Sequence, residues 1–260
     1  MTHSDGKATS LSDEALIDGV AVDVGDTDAL CAVLSRGKRA FLLNPPADPA
    51  TDTNSEELRT GRSIAEAIKA SDLEKVVVAS TYGAQRGDAI GDLSVLWEFE
   101  QLVAATGVPA AIDRGAYYFT NFDQLVESAK QGVLPTPFGQ DFILPMVSPI
   151  DLASAAVARL MSTINDTGVQ FVEGPTRYAM SDGARVFAQA LGRDVKVQQI
   201  PRDEIEDNFR SLGFSVPAAR AYARMTMATL DGAEMPTELT RGRVTLEDHI
   251  ASLFTERAGA

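Results

Sequence analysis

Short apolar runs alternate with amphipathic stretches from Val20 to about Asn121, and that alternation predicts a parallel sheet covered by helices. Val20-Ala-Val-Asp23 reads as a strand, and Asp26 is placed to cap a helix over 27–35 that Gly37 stops. Ala40-Phe-Leu-Leu43 is the next strand, ended by Asn44-Pro45-Pro46, and a loop rich in Pro, Asp and Thr leads to a helix over 55–70. Val76-Val-Val-Ala79 is an unbroken apolar run, as a strand buried on both faces requires. A loop punctuated by glycines precedes a helix over 93–105, with Leu96, Phe99 and Val103 on one side. Residues 108–113 form the strand after it, and 10–19 have the pattern of a short helix closed by glycine.

Beyond Asn121 helical patterns predominate, with Pro135, Pro137, Pro145 and Pro149 breaking the chain between them. Ser148-Pro149 supplies an N-cap and a proline at the first helical position, and Asp151 is spaced to complete a capping box. Segments 170–173 and 196–199 are the later strand candidates. The expectation is an α/β protein: an incomplete doubly wound parallel, Rossmann-like sheet over residues 1–130 and a smaller, mostly helical C-terminal lobe over 131–260. The lobe closes over the carboxyl edge of the sheet, and the strand near 170–173 returns to it.

Composition narrows the function classes. A net charge of −14 argues against an electrostatic grip on nucleic acid or on anionic membranes. No apolar run approaches the ~18 residues of a membrane span. Cys31 is the single cysteine, and His3 and His249 are the two histidines, so neither a disulfide framework nor a metal site is expected. These features imply a cytoplasmic chain whose partner is a small-molecule substrate or a regulatory protein.

In open α/β sheets ligands bind outside the carboxyl ends of the strands. Four polar or backbone-exposing groups fall there: Asp23-Val24, Asn44-Pro45-Pro46, Ser80-Thr81-Tyr82 and Arg114-Gly115-Ala116-Tyr117. Short polar residues at such ends also make turns and caps, but four groups on one edge together point to a ligand. Gly83, Gly87 and Gly91 follow a strand, yet their spacing fits neither the dinucleotide fingerprint nor a P-loop. Tyr222-Ala-Arg-Met-Thr-Met227 reads as a packed helix face covering a pocket.

Phe41-Leu-Leu-Asn-Pro-Pro46, Val76-Val-Val-Ala-Ser-Thr-Tyr-Gly-Ala-Gln85 and Ile112-Asp-Arg-Gly-Ala-Tyr-Tyr-Phe-Thr-Asn-Phe122 resemble the NmrA-like family. This is an atypical branch of the short-chain dehydrogenase/reductases. Phe171-Val-Glu-Gly-Pro-Thr-Arg-Tyr178 followed by Ala190-Leu-Gly-Arg193 is similar to its C-terminal signature. The resemblance runs from about residue 20 to 215 and implies an NADP or NAD site. It would put Asp23 and Val24 by the adenine, with Leu43, Asn44, Pro45 and Pro46 flanking the ribose and diphosphate. Ser80 shares the next strand end, where Thr81 and Tyr82 would border the nicotinamide. Arg114, Gly115, Ala116, Tyr117 and Tyr118 would face the substrate.

Two departures from the family pattern qualify this. No G-x-G-x-x-G turn occurs, and the polar opening Met1-Thr-His-Ser-Asp-Gly-Lys resembles the end of a second strand. A late start codon or a truncated gene model is the expectation, with a genuine loss and a repaired sheet as the alternative. The 20–23 and 40–43 strands would then pair directly or leave a gap. His3 stands where relatives often carry an arginine for the NADP 2′-phosphate, and a neutral imidazole cannot make that bidentate grip. The sequence therefore does not choose between NADP and NAD.

The second departure is catalytic. None of the five tyrosines has a lysine four residues on; Tyr82 has Arg86 there, on a loop, and Trp97 occupies the position where many atypical members carry the lysine. Glu98 and Glu100 read as a solvated helix face. Proton delivery falls to Tyr82, Tyr117 or water. The expected function is reduction of a small quinone or carbonyl compound, quinones needing the least help with the proton. The alternatives are a non-catalytic redox sensor that binds a protein partner, and a truncated chain that binds no dinucleotide.

Overall fold

The computed structural model describes residues 18–255. The expected helix over 10–19 lies mostly outside the described residues, and the opening segment with His3 lies wholly outside them. Among the described residues no helix is long and apolar enough to cross a membrane. Residues 20–23 carry one β-bridge, at Ala21, rather than a strand. Helix α1 (Thr27–Leu34) follows, its first turn closed by Ala29 N–H donating to Asp26 Oδ1 at 3.0 Å. Strand β1 (Arg39–Leu42), helix α2 (Thr53–Ala70), strand β2 (Lys75–Thr81), helix α3 (Asp92–Ala104) and strand β3 (Ala110–Gly115) come next.

After β3 the chain forms β4 (Tyr117–Tyr118), a 3-10 turn and α4 (Val126–Lys130), then β5 (Val133–Thr136) and β6 (Ile143–Val147). Helix α5 (Pro149–Met161) leads to β7 (Gly168–Glu173), β8 (Arg177–Ala179), α6 (Met180–Leu191) and β9 (Lys196–Gln199). The last elements are α7 (Ile205–Ser211), α8 (Val216–Asp231), β10 (Thr240–Arg241) and α9 (Leu246–Thr255).

The main sheet is parallel throughout, in the order β1-β2-β3-β7-β10. Alternation along the strands sets two buried faces. Val76, Val78 and Ile112 pack with Ile64 and Ile68 of α2 and with Phe99 and Val103 of α3. Val77 and Ala111 face the other way, onto Ala156 and Leu160 of α5. Among the described residues the strand paired with β1 is β2, and residues 20–23 contribute the single bridge at Ala21 rather than a strand of the sheet.

The amino ends of the strands are locked to the end of α5. Lys75, fully buried, donates to Arg159 O at 2.7 Å, Ser162 Oγ at 2.8 Å and Thr163 O at 2.9 Å. Arg39 donates to Leu160 O and Ser162 O, at 2.6 and 2.7 Å, so cations complete the last carbonyls of the helix. Arg159 in turn pairs with Asp113 at 3.2 Å and Asp166 at 3.0 Å.

The C-terminal region contains more strand than the sequence predicts, in a β4-β6-β8 sheet and a β5-β9 pair. Pro135 and Pro145, read as breakers, sit inside β5 and β6, opposite Gln198 and Arg177. Among the described residues Pro135 lies in a two-stranded pair with one open edge, and Pro145 is paired with β8 alone because the β4 pairing is confined to Met146 and Val147, so each ring has an unpaired side to face. Phe119, Phe122, Leu134, Met146 and Phe187 fill the core of this region. Asp151 does not form the expected capping box. Ser148 caps α5, and the Asp151 carboxylate accepts instead from Arg243 N–H at 3.0 Å and Val244 N–H at 3.1 Å.

Candidate functional site

Three predicted strand ends converge because β1, β2 and β3 are adjacent and in register, with Thr81 beside Gly115. At the end of β1, one turn of α2 pins the proline turn: Asn44 Nδ2 donates to Glu57 O at 3.0 Å, and Ala47 N–H donates to Glu57 Oε1 at 2.9 Å. Asn44 is buried, and its Oδ1 has no hydrogen-bond partner. Pro45 is half-buried, while Leu43 and Pro46 are exposed. Burial pushes the Glu57 carboxyl up to about 7; the Ala47 bond opposes this and the neighbouring Asp92 adds to it.

At the end of β2, Ser80 Oγ donates to Glu100 Oε1 at 2.5 Å and is not free for a ligand. Tyr82 packs edge-on against Phe171, 5.2 Å between centroids. Its hydroxyl is buried, makes no well-aligned hydrogen bond and lies within hydrogen-bonding reach of the Glu173 carboxylate. Glu173 is close enough to act on it electrostatically, but the Glu173 oxygens are held by Arg177 at 2.6 Å and Arg241 at 3.3 Å. Burial first, and the Glu173 charge second, push the Tyr82 phenol well above its ordinary value.

At the end of β3, Arg114 turns to Glu100 in a bidentate pair, 2.9 and 2.8 Å, with its guanidinium 5.9 Å from the Phe171 ring centre. This corrects the reading of Glu100 as a solvated residue: it is 2% exposed. Ala116 is buried and gives its N–H to Val172 O; a Cβ on Gly115 would meet Leu152 at 3.0 Å. Ala116 is thus tied to β7 and packs with Ala155 of α5, and Gly115 lets Leu152 of α5 approach. Tyr117 packs on Phe122 and Phe138, and burial pushes its phenol up to about 12. Asp23 is engaged in its own turn, beside Arg59 of α2. Its Oδ1 accepts from Gly25 N–H at 2.8 Å, its backbone O accepts from Asp26 N–H at 3.0 Å, and Val24 is half-buried in that turn.

A profile of the NmrA-like family matches residues 5–243. The chain belongs to the NmrA-like family. Its sequence is 25% identical over 183 residues to prestalk A differentiation protein A of Dictyostelium discoideum, a match spanning 70% of this chain and 56% of that relative. Its fold is similar to that of an NADPH-dependent quinone oxidoreductase of Escherichia coli solved with NADPH, at 19% identity and a TM-score of 0.78. That match covers 97% of this chain and 88% of the other. Triphenylmethane reductase of a Citrobacter species has a TM-score of 0.77 at 17% identity, over the same shares of the two chains.

For this NmrA-like chain the dinucleotide that such a fold implies can be tested against the strand ends. Asn44 Oδ1 is a buried polar atom left unpaired at the end of β1, which fits the nicotinamide–ribose end of such a ligand, while the Tyr82 hydroxyl at the neighbouring strand end faces the Glu173 carboxylate. The diphosphate finds no equivalent cradle among the described residues. Asp26 and Asp52 occupy the N-termini of α1 and α2. At Gly91, before α3, an added Cβ would meet Met225 Sδ of α8 at 3.2 Å, so that helix start is covered too. Among the described residues no group of three or more His, Cys, Asp or Glu is placed to hold a metal.

Sequence reasoning missed Glu57, Asp92, Glu100 and Glu173. Burial pushes the Asp92 carboxyl up, and Tyr222 of α8 is pushed up by burial and then by the Asp92 and Glu57 charges. Helical periodicity assigns Glu57 and Asp92 to the wet face, and the crossing of α8 over α2 and α3 reverses that; Glu100 is buried instead against Ser80 and Arg114, and Glu173 ends strand β7 against Arg177 and Arg241.

Proposed function

We propose that this NmrA-like chain is an NAD(P)H-dependent reductase of a small quinone, working in the cytoplasm. The observation behind the reading is that both candidate proton donors, Tyr82 and Tyr117, are pushed up rather than down. Reduction of an ordinary carbonyl needs a tuned acid as hydride arrives. A phenol held above its usual range still donates a hydrogen bond but is a poor proton source at neutral pH. A quinone needs less, because its reduced anion is a stable phenolate that takes its proton from water. Family membership supports the reading, as does the fold shared with a quinone oxidoreductase that binds NADPH.

The dinucleotide, when bound, supplies the hydride. The balance is one hydride and one solvent proton gained by the quinone, giving hydroquinone and oxidised nicotinamide. The protein's part is positional. Asn44, fixed on α2, offers an unpaired oxygen, and Tyr82, beside Glu173, offers a hydroxyl that orients without ionising. The same untuned phenols favour a second reading, in which NADP or NAD is bound without turnover and a protein partner reads its redox state.

The test is oxidation of NADPH and of NADH by the purified chain with menadione, alongside calorimetric binding of each nucleotide. We expect turnover, with Tyr82→Phe changing kcat by less than about tenfold; loss of a true general acid costs ~10²–10⁴-fold. Binding without turnover across quinones would replace the reductase by the sensor. Neither binding nor turnover would overturn both.

A further inference from the structure

A cleft of about 610 Å³ lies between α2, the loop before α3, α3 itself and α8. None of the strand-end residues described above lines it. Its size falls within the ~300–1,000 Å³ of small-molecule sites. Four arginines line it: Arg62, Arg86, Arg220 and Arg224. In a chain of net charge −14 such a grouping is a local reversal of sign.

The lining acids are largely engaged elsewhere. Asp52 caps α2 through Ser55, and Asp88 lies 3.8 Å from Arg224. Arg220 lies 3.7 Å from Glu206, outside the cleft. Arg62 and Arg86 have no ion-pair partner among the described residues. Glu98 faces the same space, so the two unpaired guanidinium groups meet one carboxylate free of a cap, the Asp52 carboxylate being turned to the α2 N-terminus. Trp97 supplies a half-buried aromatic wall, and the side-chain Oδ1 of Asn54 is buried and without a partner.

These groups specify a ligand class. Two planar guanidinium forks recognise a carboxylate, an indole wall recognises a flat ring, and an unpaired buried amide asks for a polar group on the ligand. We infer that this cleft binds a hydroxylated aromatic carboxylate, at a site separate from the strand ends and independent of any nucleotide. Arg62 and Arg86 hold the acid, Trp97 the ring and Asn54 the hydroxyl.

Trp97 is the only tryptophan of the chain, so its fluorescence reports this cleft alone. The experiment titrates the full chain, without nucleotide, with a hydroxynaphthoate and with the corresponding neutral hydroxynaphthamide. Trp97 emission and calorimetry are followed together. The naphthoate is expected to quench Trp97 saturably at micromolar concentration, with the amide at least tenfold weaker. Arg62→Gln and Arg86→Gln, both at exposed positions, should each weaken the naphthoate about tenfold while leaving the amide unchanged. Equal affinity for acid and amide, unchanged affinity in both variants, calorimetric binding without Trp97 quenching, or no binding at millimolar ligand would each overturn the inference. None of these outcomes bears on quinone turnover, so the two readings fail separately.

Discussion

Glu57 is a carboxylate whose surroundings oppose its charge, and the consequence is a stability that depends on pH. Its ordinary value of 4.5 holds in the unfolded chain, while burial pushes the folded value to about 7. Below the lower value both states carry the proton. Between the two only the folded state does, so folding takes up a proton and stability falls as pH rises. Above about 7 both are ionised and the dependence is spent. The full window corresponds to ~3 kcal/mol. Glu57→Gln keeps an acceptor for Ala47 N–H and removes the titration. We expect urea denaturation between pH 5 and 8 to show a downward slope in the parent and a much flatter one in the variant. Asp92, pushed up by the same cause, leaves a remnant slope. Equal slopes in the two proteins would show that Glu57 carries no buried proton. The sequence could not announce this residue: within Ser55-Glu-Glu-Leu-Arg-Thr60 two adjacent glutamates look alike, and tertiary packing, with the proline turn and α8 against α2, buries one of them.

At the scale of elements, one ion pair joins α3 to the ends of β2 and β3. Glu100 accepts two bonds from Arg114 and one from Ser80, and the Arg114 side chain is only 14% exposed. Removing one partner strands the other charge in a poorly hydrated place, which costs ~3–5 kcal/mol, whereas replacing both by apolar residues is often near neutral. Glu100→Ala is therefore expected to lower the urea midpoint sharply, and the double change Glu100→Leu with Arg114→Leu to recover much of the loss. Additive losses would show the two residues to be uncoupled. The elements were legible where periodicity and burial agree, as in the buried run of β2 and the Asp26 cap. They were illegible where one residue type serves two purposes. Pro135 and Pro145 signal breaks in isolation yet sit inside β5 and β6, and Asp151 has capping-box spacing yet spends its carboxylate on backbone 92 residues away. The arginine cleft was illegible for a related reason: Arg62, Arg86 and Arg220 come from three segments, each of which alone looks like a wet helix face or a loop.

For the molecule as a whole, the question is what returns the C-terminal segment to the main sheet. β10 adds to the sheet beside β7, and Arg241 reaches Glu173. Asp151 of α5 then takes the next two available N–H groups, those of Arg243 and Val244, and the Tyr178 hydroxyl takes that of Leu246. From there α9 drops Leu246 and Ile250, both fully buried, into the core of the C-terminal region. A single carboxylate thus joins a helix packed on the sheet to the strap that closes the lobe. Asp151→Ala removes the acceptor but leaves its two backbone donors in place, part-buried and unpaired, at a cost of about 3 kcal/mol. The loss should be local before it is global. Hydrogen exchange is expected to show amides 240–255 opening far more readily in the variant, while β2, at the centre of the sheet, keeps protection up to the global stability. Equal loss across both regions would mean that strap and sheet unfold as one unit, and that Asp151 contributes to general stability rather than to closing the lobe.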